Sequence, residues 1–402
     1  MTAKTLFAVK PTLFILVLMV SVGPFGDTIY APSLPSLSAA FETPYHNVQL
    51  TITFYLLGYS VGQILYGPFS DYFGRKPVMI FGALMFLAGS SICLLSLNIT
   101  ILIFGRFIQG IGACAGAVIS SAAIRDAFPQ KEQSKVFAKM NAAFAMAPGI
   151  GAIVGTFISW QMNFIVLFVL AIALVIAVIW LFPETLINKN KEALQMKKFF
   201  SNYYNLFKAK GYFIYLCILG INIGMVYSCL VEAPVIVIDI LELSKPWFIV
   251  VAVGIVIAFM LGSIICNFLC HKLPQEWILM IGMLTSLIGA AVLFGLMLLD
   301  IVSLLSLLIP VIVIFTGIAF VIPIAIAKAL SPFTLTVGSA SAMMGFFQMG
   351  AASAITAGTT FLPFGDLLTL PISFIILATL GILIFSIYMC WPRSALMHES
   401  KN

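Results

Sequence analysis

Long apolar runs, broken by short polar stretches, repeat along almost the whole chain. Most are about 18 residues or longer, enough for a helix to cross about 30 Å of hydrocarbon. Runs and breaker residues predict twelve spans, at 11–32, 47–67, 77–96, 100–124, 136–158, 163–182, 212–239, 246–270, 276–298, 301–327, 337–361 and 367–391. The runs are continuously apolar and do not alternate, which favours helices over a barrel. The longest polar break, Pro183 to Gly211, splits the spans into two sets of six. The predicted fold is an all-α membrane protein of 12 transmembrane helices. Two six-helix bundles, 1–182 and 212–402, flank a linker at 183–211.

Charge orients this pattern. Of the 20 Lys and Arg, Arg106 lies inside a span and Lys245 in a break on one side; the other eighteen fall on the opposite side. Basic loops stay cytoplasmic, so both termini and the linker are expected there, in an inner membrane. The chain is 62% hydrophobic and only 8% charged, which excludes an ordinary soluble protein. The net charge of +6 reflects lysine-rich loops and does not point to nucleic acid. Lys4 and Lys10 before an apolar run imitate a signal peptide, but no small-residue cleavage site precedes Asp27, so the run reads as a retained first span.

Small residues mark close helix contacts. Ala143, Ala147, Gly151 and Gly155 recur every four residues on the fifth span, as do Gly254, Ala258, Gly262 and Cys266 on the eighth. Each set shares a face where backbones can approach. The two faces are expected to meet across the halves, or else to pack each within its own half.

Charges inside spans cost at least about 2.5–3.5 kcal/mol each at the centre and need a reason. Asp27 lies in the first span, before Tyr30, Pro32 and Pro35. Desolvation disfavours a charged carboxylate, so an acid in a semi-dry cavity can exchange protons; the alternative is a helix-end residue at headgroup level. Arg106 shares a helical face with Gln109, Gly110 and Ala113. Its fixed charge suits an anionic partner or a neighbouring carboxylate, or a purely structural ion pair. Glu232 precedes Ala233 and Pro234, whose kink suits a moving gate. It reads as a second proton site, a contact for a cationic substrate, or a protonated hydrogen-bond donor between helices. Between the second and third spans, Gly67, Asp71, Gly74, Arg75 and Lys76 form a short turn. Asp71 there is expected to accept from helix N-termini or to pair with Arg75. Gly67 and Gly74 are expected to allow tight approach, and the turn, extended by Arg125 and Asp126, reads as a conformational latch and not a substrate site; the alternative is simple interfacial charge.

An enzyme finds little support. The three histidines lie in loops or the tail without metal-ligand spacing, and no phosphate-binding glycine loop is present. The seven cysteines sit in apolar runs as small hydrophobes. No cofactor or metal is expected, and active transport would draw on an ion gradient instead of ATP.

Several of these stretches resemble motifs of the major facilitator superfamily. Gly67–Lys76 looks like its loop between the second and third helices, and Arg106–Gly112 like its fourth-helix motif R-x-x-Q-G-x-G, implicated in proton coupling. Ala147, Pro148, Gly149, Gly151 and Gly155 resemble the fifth-helix motif of antiporters. Asp27–Pro35 and Ala122–Phe128 resemble the bicyclomycin/chloramphenicol-resistance subgroup of drug:proton antiporters. The resemblance covers residues 27–155; the second half matches in span count and little else. It implies proton coupling at Asp27 and Arg106, and a helix shaped for antiport by Pro148 and Gly149. Glu232 departs from the subgroup pattern, so siderophores and metabolites stand beside drugs as substrate classes. The expectation is a monomeric proton-coupled exporter of a small molecule. Tyr30, Tyr55, Gln109 and Tyr227 are expected to line its substrate cavity. A nutrient importer of the same fold and a non-transporting sensor are the rivals.

Overall fold

The computed structural model describes residues 9–190, 193, 210–333, 337–362 and 365–390. Most of the linker expected at 183–211 lies outside them, as do several lysines of the orientation count. The described residues hold twelve long helices. In the first half these are α1 (Leu13–Thr28), α2 (Tyr45–Phe73), α3 (Arg75–Leu94), α4 (Ile99–Ala127), α5 (Gln130–Phe157) and α6 (Trp160–Leu181). In the second they are α7 (Lys210–Val235), α8 (Trp247–Cys270), α9 (Gln275–Leu298), α10 (Leu304–Leu330), α11 (Val337–Thr359) and α12 (Gly365–Cys390). Eleven segments are long and apolar enough to cross a membrane. Helix α11 is not among them, its sequence being rich in Gly, Ala and Ser.

Polar residues at the breaks start several helices. Asn98 accepts from Ile101 N at 2.9 Å and Ser159 from Met162 N at 3.3 Å, while Ser303 and Ser306 form a reciprocal capping box. Prolines modulate others. Pro24 lies inside α1, which passes through a 3₁₀ turn at Ala31–Ser33 into a short helix, Leu34–Ala40. Pro234 lies near the end of α7, and a π-helical turn, Ile236–Ile240, follows it.

The chain divides into two units, residues 1–200 and 201–402. In the first, α4 packs against α1, α2 and α3, while α1 also packs on α5 and α3 on α6. In the second, α10 packs against α7, α8 and α9, with α7 on α11 and α9 on α12. Each pairing recurs six helices later, so the repeat that is faint in sequence is plain in topology. The expected small-residue faces are occupied within their own halves. A β-carbon at Gly155 would lie 1.5 Å from Ile29 O of the first span, and one at Gly262 would lie 2.6 Å from Ala319 Cβ of α10.

The turn between α2 and α3 corrects the sequence reading. Helix α2 continues through Gly67 to Phe73, and the break is the single residue Gly74, at φ +112° and ψ 156°. That region belongs essentially to glycine. No atom lies within 4 Å of a β-carbon built on Gly67, so the tight approach expected there is not found.

Candidate functional site

Helix α4 carries the centre of the site. Gly110 brings α2 against it: a β-carbon there would lie 2.1 Å from Tyr55 O. Gly89 does the same for α3, where a β-carbon would lie 2.4 Å from Gln109 N. Side chains of four elements then converge between them. Arg106 is 0% exposed. Its Nη1 donates to Gly26 O at 3.0 Å, the carbonyl preceding Asp27, and to Gln109 Oε1. Gln109 Nε2 donates to Ser90 Oγ at 2.8 Å, and Ser90 donates onward to Phe86 O. The guanidinium carbon lies 4.3 Å from the Tyr30 ring centre and 4.1 Å from that of Tyr55. Cation–π contacts at desolvated sites contribute about 2 kcal/mol each, offsetting part of the cost of a buried arginine whose Nε and Nη2 have no hydrogen-bond partner.

Both tyrosine rings are themselves fixed. Tyr30 OH and Thr51 Oγ1 are 3.1 Å apart, and Tyr55 OH donates to Gly23 O at 2.8 Å. Both residues are 0% exposed. Asp27 is 4% exposed, so the bundle encloses it. The carbonyl of Gly26, the residue before it, accepts from Arg106. Asp27, Tyr30, Tyr55, Arg106 and Gln109 thus form one buried cluster in the first unit.

Glu232 and Tyr227 belong to α7 in the second unit, Glu232 buried and Tyr227 half-buried. On α5, Pro148 lies within the helix, and a β-carbon at Gly151 would meet Thr28 Oγ1 at 2.4 Å, one residue after Asp27. Gly149 is half-buried on the same helix.

At one end of α3 a second cluster forms. Arg75 Nη1 donates to Asp71 Oδ1 at 2.5 Å and to Ser70 Oγ at 2.7 Å, while Nε donates to Asp126 Oδ2 at 2.7 Å. The start of α3 is capped by a residue that sequence reasoning missed. Glu184 accepts from Arg75 N at 2.9 Å and Lys76 N at 3.2 Å, so this acid, not Asp71, meets the helix N-terminus. Only the Pro-Glu after the sixth span hinted at it. In the second unit, Lys328 Nζ donates to Glu276 Oε1 at 2.7 Å, joining the end of α10 to the start of α9. Asp126 and Arg75 join α4 to α3 in the same way with the charges exchanged. In the second half the acid of this pair, Glu276, lies four residues past Lys272.

Comparison with known proteins agrees with this architecture. The model of the family described as Major Facilitator Superfamily matches residues 16–359. The chain is 25% identical over 374 residues to multidrug resistance protein D of Escherichia coli, covering 87% of this chain and 89% of that one. It is 29% identical over 225 residues to a bicyclomycin resistance protein homolog of Haemophilus influenzae, covering 54% and 56%. Among solved structures it is similar to a D-xylose-proton symporter, with a TM-score of 0.75, 17% identity, and coverage of 94% and 96%.

Proposed function

The chain belongs to the major facilitator superfamily, and from that premise we propose that it exports a small molecule across the inner membrane in exchange for protons, by alternating access. It is a multi-span transporter, not an enzyme. The eighteen-to-one distribution of basic residues supports cytoplasmic termini. The names of its relatives, multidrug resistance protein D and a bicyclomycin resistance homolog, support export of drug-like compounds, with siderophores or metabolites as further classes.

The observation that carries the coupling is the enclosure of Asp27 beside a buried Arg106 bound to the Gly26 carbonyl. An acid there can hold a proton in one state and release it in another, and a fixed guanidinium biases that exchange. In the cycle, substrate enters from the cytoplasm or inner leaflet. A periplasmic proton then protonates Asp27, or Glu232 in the second unit, and substrate leaves. The two facing states must differ in affinity for proton and substrate, because equal affinities shift nothing. Pro148, Gly149 and Gly151 on α5, and the Asp71–Arg75–Asp126 cluster with Gly67, Gly74 and Lys76, are assigned to the conformational change; Gln109 and Tyr227 are assigned to the substrate path of a monomer.

Inside-out vesicles with an acidified interior and a pH-sensitive dye test this. A panel of lipophilic cations, neutral drugs, siderophores and amino-acid derivatives is added to wild type and to Asp27→Asn. Proton release by at least one compound with wild type only is the expected result. Normal proton-driven export by Asp27→Asn refutes the assignment of Asp27. Uptake of labelled nutrients into whole cells, with no release in vesicles, establishes the importer instead.

A further inference from the structure

The sequence places Tyr30 and Tyr55 among substrate-lining residues, but their surroundings are those of a clamp. Both rings contact the same guanidinium, at 4.3 and 4.1 Å. Both hydroxyls are committed within the bundle, to Thr51 Oγ1 and to Gly23 O. Neither residue has exposed surface. The rings come from opposite sequence neighbours of the site, one just after α1 and one on α2, while the cation comes from α4. The guanidinium is hydrogen-bonded through Nη1 alone, to Gly26 O and Gln109 Oε1, which leaves Nε and Nη2 unanchored by hydrogen bonds. The two rings and the Gly26 carbonyl together fix its position.

We infer that Tyr30 and Tyr55 are positioning residues: their rings hold the Arg106 charge in register with Asp27 and so set the pH at which Asp27 exchanges its proton. This rests on the reading of Asp27 as the proton site. The elements packed against α1 are α4, α5 and α6, and α2 reaches it through Tyr55 and Tyr59. Arg106 is the charged group that α4 presents. The titratable residues of α5 lie in its first ten positions, and α6 has none. Tyr59 of α2, Cys114 of α4 and Cys93 of α3 are the remaining titratable neighbours of the two tyrosines. They carry no charge to replace that of Arg106. If a ring is lost, water and slack enter beside the guanidinium, its field at Asp27 weakens, and Asp27 keeps its proton to higher pH.

Infrared titration of the purified full-length protein reads this without any substrate, as the carboxylic-acid band present in wild type and missing from Asp27→Asn. Tyr55→Leu is expected to raise the Asp27 midpoint by about one pH unit, part of the roughly 1–3 units by which a neighbouring arginine lowers an aspartate. Tyr55→Phe keeps the ring and gives a clearly smaller shift. Tyr30→Leu and Tyr30→Phe repeat the comparison independently should a Tyr55 variant fold poorly, as judged by gel filtration. A midpoint that is unchanged, lowered, or moved as far by Phe as by Leu overturns the inference, as does an Asp27 band that does not titrate in wild type. If the midpoint moves as expected while no compound exchanges for protons in vesicles, the positioning role stands and the export reading fails. If exchange is intact while the midpoint ignores the rings, the reverse holds.

Discussion

At the scale of single residues, Arg106 is held from several sides within the first unit. Its planar fork reaches the Gly26 carbonyl and Gln109 while two rings contact its faces. A lysine ammonium retains the charge but has neither the fork nor the flat face that stacks. Arg106→Lys is therefore expected to lower transport at least tenfold while leaving the protein in the membrane; wild-type rates in the vesicle assay would make Arg106 merely structural. Glu184 is a different case. It supplies a carboxylate to two backbone N–H groups at the start of α3. Glu184→Ala is expected to destabilise the protein by about 1 kcal/mol, the usual effect of losing a helix cap, and Glu184→Gln by less. Thermal unfolding in detergent reads both.

At the scale of elements, the α2–α3 turn depends on one residue. Gly74 adopts a backbone conformation closed to other residues, and a β-carbon there would lie 2.5 Å from Glu184 Oε2. Gly74→Ala is expected to cost about 1–3 kcal/mol of strain and to push Glu184 off the end of α3. Gly67→Ala should leave the melting temperature unchanged or raise it slightly, because its site is open and helical. Equal effects of the two substitutions would contradict this account of the turn. The ten-residue stretch Gly67–Lys76 reads in sequence as a polar loop because it carries an acid, a basic pair and two glycines. Its helical part is hidden because Arg75 satisfies Asp71 and Ser70, and Ser70 donates back to the Gly67 carbonyl.

At the scale of the whole molecule, the two units repeat one pattern of helix pairings with a charge pair exchanged in sign. Both Glu276 and Lys328 are about 30% exposed, so the pair is expected to contribute no more than about 1 kcal/mol. Glu276→Lys should lower stability or transport by placing two cations together, and adding Lys328→Glu should restore it. A double variant as impaired as the single one would show that the pair is not coupled. The exchange of sign also explains why the repeat is hard to see in the chain. Matching the halves residue by residue looks for an acid near Lys272, whereas the second half needs only some opposite pair joining the same two helix ends.

The sequence by itself determined the class of protein, the twelve helices and three of its buried charges, Asp27, Arg106 and Glu232, but not the burial of Arg75. Hydrophobic run length and the cost of charge in lipid act locally, so they leave their record in consecutive residues. It also carried the family resemblance, through motifs whose members lie within about ten positions. The tertiary structure decided what those residues touch. Tyr30 and Tyr55 read as cavity aromatics until their rings are found on Arg106, and Glu184 reads as a loop acid until it is found capping a helix 109 positions away. Such contacts depend on which helix faces which. That is set by backbone approach at glycines such as Gly89 and Gly110, and no period along the chain encodes it.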